Sequence, residues 1–347
     1  LLHSDFAAVN WDVVVCDECH KIKNFTAQTS RAVRKLAEKA RYVWALSGTP
    51  APQGLEDWQG ILGAVRPDLV PATKGGFEAR YCLKTEIQPG VWKIAGYRNV
   101  AELHAKIASC TSRVTKAEAL DLPPKVFSAR HVTLEGDQAR VYRELKRDAV
   151  ARLLHAKGEG TLSIRNVLQE SLRLLQVVGG HFPADDGTIT ELPQKAKLAA
   201  LADALDEAGD RQAVVWCVFR HEVAMLAKWL ADRGAVVTLL GGMSGDERTA
   251  NLDAFQRGDV RFFVGTASAG GTGINQLAKC DTAIYYSRDF NFATWSQSQD
   301  RTHRIGTVNT VNIVKLIATG TVDEKVDAAL DKKGDMLEMM LANPEDL

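Results

Sequence analysis

The chain has 347 residues, 46% of them hydrophobic and 25% charged, with 43 basic residues balanced by 43 acidic ones. That length holds one large core or two of ordinary domain size, and two is the better expectation. A neutral balance excludes nucleic-acid binding through the field of the whole molecule, and no apolar run approaches the roughly 20 residues of a membrane-crossing helix, so no membrane partner is expected.

Six cysteines, at 16, 19, 82, 110, 217 and 280, sit mostly inside apolar runs and read as small core residues of a reducing compartment. The expected location is therefore the cytoplasm of a bacterium or phage host, or the nucleus of a eukaryote. The opening residues "LLHSDF" carry neither an initiator methionine nor the regions of a signal peptide, and the chain is expected to be part of a longer polypeptide.

In chain order, "WDVVVCDE" and "RYVWALSGTP" read as strands. Between them Val33, Leu36, Ala37 and Ala40 recur at helical spacing, which makes one β-α-β unit. Residues 75–125 are richer in glycine and proline, 137–178 read as long helices, and the domain boundary is placed near Leu120, giving domains of 1–120 and 121–347. A second series follows: "QAVVWCVF", "AVVTLLGG", "RFFVGT", "DTAIYYS" and "VNIVKLIA", each leading into a helical or glycine-rich stretch. This is the rhythm of an α/β fold with parallel sheets and flanking helices.

The first strand ends in Asp17 and Glu18. At the carboxyl edge of a parallel sheet two adjacent carboxylates lie where such sheets bind ligands, and they can divide labour. Asp17 would hold a hydrated magnesium ion and Glu18 would orient and deprotonate an attacking water. Taken alone, the pair is more readily read as a solvated strand end. Cys16 and Cys19, with His20 beside them, spell half of a zinc site, but no second pair follows at finger spacing. Ser47–Pro50, "SGTP", closes the next strand as a hydroxyl-rich loop or a plain turn. "TASAGGTGIN", residues 266–275, follows another strand with glycines that let backbone approach a phosphate or ribose. "QSQDRTHRIG", residues 297–306, carries Arg301 and Arg304 three apart, either a solvated basic face or two planar cations suited to a transferring phosphoryl group. The joint order of these segments, each after a strand, favours the chemical reading.

Together they resemble the superfamily-two helicases, and in detail the Swi/Snf-type DNA-translocating ATPases. "DECHKIKN" resembles that branch's acidic box, with Lys23 and Asn24 in its Lys-Asn position. "ALSGTP" with "GLEDWQGILGAVRPDLV" resembles the third motif and the helix after it. In "LLGGMSGDERTANLDAFQRGD", Gly242, Arg248 and Phe255 fall on usual positions, and "GTASAGGTGIN" and "DRTHRIG" resemble the fifth and sixth motifs. "RYC" with "VWKIAGYRNVAELH" is closest to the compact annealing-helicase-like, bacterial and phage enzymes.

The resemblance implies two RecA-like lobes, the first incomplete at its N-terminus, with ATP and magnesium between them and duplex or branched DNA across both, gripped without regard to sequence. It implies that Asp17 and Glu18 serve magnesium and water, and that Arg301 and Arg304 are arginine fingers. Gln297, Gly273 and His20 would lie near the nucleotide. Ser47, Gly48, Thr49, Thr266, Gly270 and Gly271 would bind DNA or couple the sites, and His20 and Gln28 would communicate between them. Phe290 and Phe292 flank Asn291 where Trp-Asn-Pro is usual, Thr307 replaces Gln, and Ser268 stands where a basic residue is common. No G-x-x-x-x-G-K-[ST] occurs, so an upstream segment or partner polypeptide is expected to carry the phosphate-binding loop. The expected function is an ATP-dependent DNA translocase or helicase-like enzyme, inactive as this segment alone; the alternative is a non-catalytic DNA-binding or regulatory fragment.

Overall fold

In a computed structural model of the chain, residues 9–88, 90–158, 164–184, 188–193, 195–270 and 274–341 are described. The fold is α/β and divides into two units. One runs through Val114 and takes in Asn291–Ala293 and the chain from Asp331; the other comprises Thr115–Phe290 and Thr294–Leu330.

The first unit opens with β1 (Val13–Asp17), α1 (Gln28–Ala37) and β2 (Tyr42–Leu46), and the two strands pair in parallel, Val13 with Tyr42 through Asp17 with Leu46. Alternation along both strands sends Cys16 and Ala45 onto a cluster of Cys19, Ile22, Val33, Ile61 and Ala64. The opposite face leaves Val13, Val15, Tyr42, Trp44 and Leu46 exposed, so β1 is half-covered rather than the buried strand its apolar run suggests. Among the described residues β1 pairs with β2 alone, and no further layer closes over that face.

After β2 come α2 (Trp58–Val65), α3 (Lys74–Tyr81), the antiparallel hairpin of β3 (Cys82–Gln88) and β4 (Val91–Tyr97), and α4 (Val100–Ala108). Leu55, Trp58, Leu62, Phe77, Tyr81, Leu103 and Ile107 form their core. Thr73 caps α3 by accepting the Gly76 amide at 3.1 Å.

The second unit starts with α5 (Lys116–Ala119), β5 (Lys125–Val132), α6 (Gly136–Gly158) and α7 (Ile164–Val178). The short pair β6 (His181–Pro183) and β7 (Ile189–Glu191) follows, then α8 (Ala196–Ala208). The expected strand series is next: β8 (Ala213–Cys217), α9 (Arg220–Leu230), β9 (Val236–Leu239), α10 (Gly245–Arg257), β10 (Phe262–Thr266) and α11 (Ala267–Gly270). It ends with β11 (Thr282–Tyr285), α12 (Phe292–Thr302), β12 (Val311–Ala318) and α13 (Val322–Leu341). All six long strands are parallel, in the order β5-β12-β11-β8-β10-β9. The five strands read from the sequence are joined by β5, whose eight residues pair with β12 at the sheet edge. Because β8, β10 and β11 are covered on both faces, they are continuous apolar runs buried throughout.

One buried ion pair locks α8 and α13 to this sheet. Lys197, 1% exposed, places Nζ 2.5 Å from Asp323 Oδ2 and donates to the Tyr286 carbonyl at 2.8 Å, while Asp323 accepts the Ala318 amide at 3.0 Å. Removing one member leaves the other charge buried and uncompensated. Asp323→Ala should therefore lower unfolding stability by about 3–5 kcal/mol, read by urea denaturation of the second unit; a loss below about 1 kcal/mol would show that Lys197 finds water instead.

Candidate active site

The parallel register of β1 and β2 brings Asp17–Glu18 and Ser47–Thr49 to one edge of the first unit. Immediately after β1 the chain turns sharply. Glu18 adopts φ 51°, ψ 52°, a left-handed conformation uncommon for a residue with a side chain. Its amide is held by Asp17 Oδ1 at 2.8 Å, and a short 3₁₀ turn, Cys19–Ile22, follows.

That turn brings His20 back to both flanking segments. His20 Nδ1 lies 3.1 Å from Glu18 Oε2 and 3.3 Å from Ser47 Oγ, and Ser47 Oγ in turn accepts the Thr49 amide at 3.1 Å. Burial pushes the His20 imidazolium below its usual range, against the opposing pull of Glu18. Glu18 can only accept, so a neutral His20 facing it at Nδ1 carries its proton there and shares it between carboxylate and hydroxyl. The acidic pair and the Ser-Gly-Thr-Pro loop are thus joined through one ring nitrogen. Thr49 is 5% exposed, and its hydroxyl is buried without a partner. Gln28, the first residue of α1, is exposed. Cys16 and Cys19 are free thiols, and burial raises both, Cys19 to about 12.

In the second unit Thr266 ends β10, and α11 follows at once. Gly270 backs onto the indole of Trp216, where a Cβ would collide with ring carbons. Gly271 and Gly273 lie outside the described residues. Beyond them Ile274 resumes the chain, and its carbonyl accepts Arg301 Nη1 at 3.4 Å and Arg304 Nη1 at 3.0 Å. Arg304 also donates to Asn275 Oδ1. Arg301 sits in the last turn of α12 and Arg304 just past it, so the three-residue spacing does turn both guanidiniums to one point. Thr307 closes this turn: its hydroxyl accepts the Arg304 amide at 3.0 Å and donates to the Thr302 carbonyl at 2.9 Å. Gln297, also on α12, is partly buried. Ile274 and Asn275 carry no sequence signal beyond closing a glycine loop, because Ile274 acts through a backbone carbonyl that every residue has and Asn275 through a single side-chain amide.

Residues 2–179 match the SNF2-related domain and residues 196–306 the helicase conserved C-terminal domain. The chain belongs to the SNF2-related family. Among curated relatives it is 28% identical over 346 residues to the Bacillus subtilis protein named "Putative ATP-dependent helicase/translocase YwqA", covering 96% of this chain and 36% of that one. It is 25% identical over 358 residues to the Arabidopsis thaliana ISWI chromatin-remodeling complex ATPase CHR11, covering 97% and 33%. The SNF2-related chain thus spans about a third of the length of these relatives. The Sulfolobus solfataricus SWI2/SNF2 ATPase core in complex with dsDNA matches it with a TM-score of 0.51 at 25% identity, covering 100% of this chain and 74% of that one. RecA-like ATPase cores are therefore its structural neighbours.

The His20 geometry can be checked directly. A carbon-detected NMR titration should find its midpoint below that of a free imidazole, and Glu18→Gln should lower it further by removing the one nearby charge that favours protonation. The unfolded chain then takes up this proton first, so the first unit should lose stability as pH falls through about 6.5. A midpoint above that value would contradict the buried environment.

Proposed function

We propose that this SNF2-related chain is the acidic-box-to-sixth-motif portion of a DNA-stimulated ATPase that moves on or remodels duplex DNA, with residues 1–120 in the first lobe and 121–347 in the second. The observation that carries the reading is the Glu18–His20–Ser47 linkage, which joins the carboxylate edge to the hydroxyl loop through a single nitrogen. The assignments of ATP, magnesium and DNA to this chain are ours, supported by that geometry and by family membership.

Hard carboxylate oxygens suit magnesium, and Asp17 is exposed at the strand end. Asp17 would hold the ion through water, and the ion would supply charge neutralisation on the nucleotide phosphates. Glu18 accepts the proton of the attacking water. His20, kept neutral by burial, orients Glu18 on one side and reads the position of Ser47 on the other. Arg301 and Arg304, aligned by the Ile274 carbonyl and Asn275, stabilise charge that develops on the transferring phosphoryl group. Ser47, partly exposed, would meet the DNA backbone, while Thr49 and Thr266, both 5% exposed, would couple the nucleotide state to that grip from behind it. In this reading the phosphate loop would come from other polypeptide, since no G-x-x-x-x-G-K-[ST] occurs in the sequence, and the bare apolar face of β1 and β2 would offer that polypeptide a place to pack. Without it, positioning of the phosphates is lost, and positioning is most of phosphoryl-transfer catalysis.

Residues 1–347 alone should turn over no ATP above background, whereas protein carrying the upstream coding sequence should show ATP hydrolysis stimulated by duplex DNA. In that longer protein Arg301→Ala or Arg304→Ala should lower turnover by about 10³–10⁵ with ATP affinity much less changed, because a finger acts on the transition state. Wild-type turnover in both variants would return the arginines to a structural role. Stimulated hydrolysis by residues 1–347, abolished by Glu18→Gln, would overturn the dependence on a separate phosphate loop.

DNA binding tests the same reading from the ligand side. A neutral chain that grips the backbone through a few hydroxyls and cations should bind weakly, and the slope of log affinity against log salt should be about −3 to −5. Unrelated duplexes of equal length should compete equally. A strong preference for one sequence, or binding indifferent to salt, would point to base readout and away from a motor that tracks the backbone.

A further inference from the structure

Behind the acidic pair lies a second polar connection, buried where the first is partly exposed. Asp57 sits in the turn Leu55–Asp57 that leads into α2, and it is 4% exposed. Its Oδ2 accepts the Gln53 amide at 2.8 Å and lies 3.9 Å from Lys23 Nζ. Gln53 is three residues past the Ser-Gly-Thr-Pro loop, and Lys23 follows directly on the turn that carries His20. The backbones of these two regions also touch. A Cβ on Gly60 of α2 would collide with the carbonyl oxygens of Ile22 and Lys23, and Ser30 donates to that same Ile22 carbonyl at 2.9 Å. A carboxylate this deep persists only where it is bonded or paired, and here both partners come from the two segments that His20 joins on the other side.

We infer that Asp57 is a positioning residue of the ATPase cycle: one buried carboxylate holds the turn behind the acidic pair, through Lys23, and the loop behind Ser-Gly-Thr-Pro, through the Gln53 amide. The inference rests on the ATPase reading above and deepens it. With ties on both sides, the acidic turn and the hydroxyl loop move as one body, so a change at Glu18 reaches Ser47 and Thr49 without slack. Asp57 touches neither nucleotide nor DNA in this scheme; it acts through Lys23 and Gln53. The charged groups facing it are Lys23 from the turn after β1 and Glu56 from its own turn, with the Gln53 and Gly54 amides completing the shell. Burial holds its carboxyl up at about 6, against Lys23 and those amides, so it exchanges its proton within the accessible pH range.

Two measurements separate the tie from its use. In residues 1–347, hydrogen exchange read by mass spectrometry should show Asp57→Ala raising exchange in the peptides covering 19–24 and 47–54 together, by about tenfold, with the β8–β11 peptides unchanged. Asp57→Asn, which keeps an acceptor for the Gln53 amide but no charge for Lys23, should restore protection to 47–54 and leave 19–24 loose. If Asp57→Ala does not fold, Asp57→Asn against Lys23→Met makes the same comparison. Unchanged exchange in both segments would overturn the inference.

In the longer protein, Asp57→Asn should lower DNA-stimulated kcat by about tenfold while the KM for ATP stays within about twofold. The wild-type stimulated rate should fall as pH drops through about 6, because a protonated Asp57 releases Lys23, and the variant should lack that limb. A variant with wild-type kcat and pH profile would overturn the positioning role even if exchange shows the tie. A longer wild-type protein without DNA-stimulated hydrolysis would instead sink the ATPase reading, and the exchange result would still decide whether Asp57 joins the two segments.

Discussion

The parallel register that sets Asp17 against Leu46 is the constraint on which the first unit's candidate site depends. A strand shifted by one residue sends every side chain to the opposite face, so the pairing is held by what the inner face buries. Cys16 and Ala45 go to the cluster with Ile22, Val33 and Ile61, and that choice alone brings the last residue of β1 level with the last residue of β2. The two loops then start from the same edge. The left-handed turn at Glu18 does the rest, because a chain continuing straight would carry His20 away from Ser47. Backbone strain of this kind costs on the order of 1–3 kcal/mol and persists only where the surroundings over-determine it. Here the 3₁₀ turn, the buried Cys19 and Ile22 and the Ser30 bond to the Ile22 carbonyl supply that determination.

The second unit sets out its candidate residues by a different route. Its sheet is covered on both faces and its central strands are buried throughout, so a rigid core carries the candidate residues on the segments that leave its carboxyl edge. Gly270 lies against Trp216 with no room for a side chain, which holds the end of α11 close to the sheet. Arg301 and Arg304 both donate to the Ile274 carbonyl, an arrangement that aligns the two guanidiniums.

Several buried charges tie segments together. Asp57, Glu222 and the Lys197–Asp323 pair are each almost fully enclosed. Glu222 accepts the Val218 and Phe219 amides and the Ser287 hydroxyl, which pins the end of β8 to the end of β11, and burial raises its carboxyl to about 7. Each of these groups joins segments distant in the chain, where an apolar contact would hold them together but leave their register free to slide.

Much of this was legible in the sequence. Apolar runs of five to eight residues and the 3.6 period of α1 are local, so the strands of both units and the helix between β1 and β2 follow from them, as does membership of the SNF2-related family from the order of the motifs. Their chemistry-bearing residues stand at strand ends because that is where the apolar runs stop. Only the tertiary structure decided the rest. β5 joins β12 across almost two hundred residues, and no local pattern announces a partner that far away. Asp57 reads as one acidic residue among many until Lys23 and Gln53 close on it, and Ile274 matters through a carbonyl that every residue has. The difference is one of range: hydrophobic periodicity is written in neighbouring residues, whereas the partner of a buried charge is chosen by how the whole chain packs.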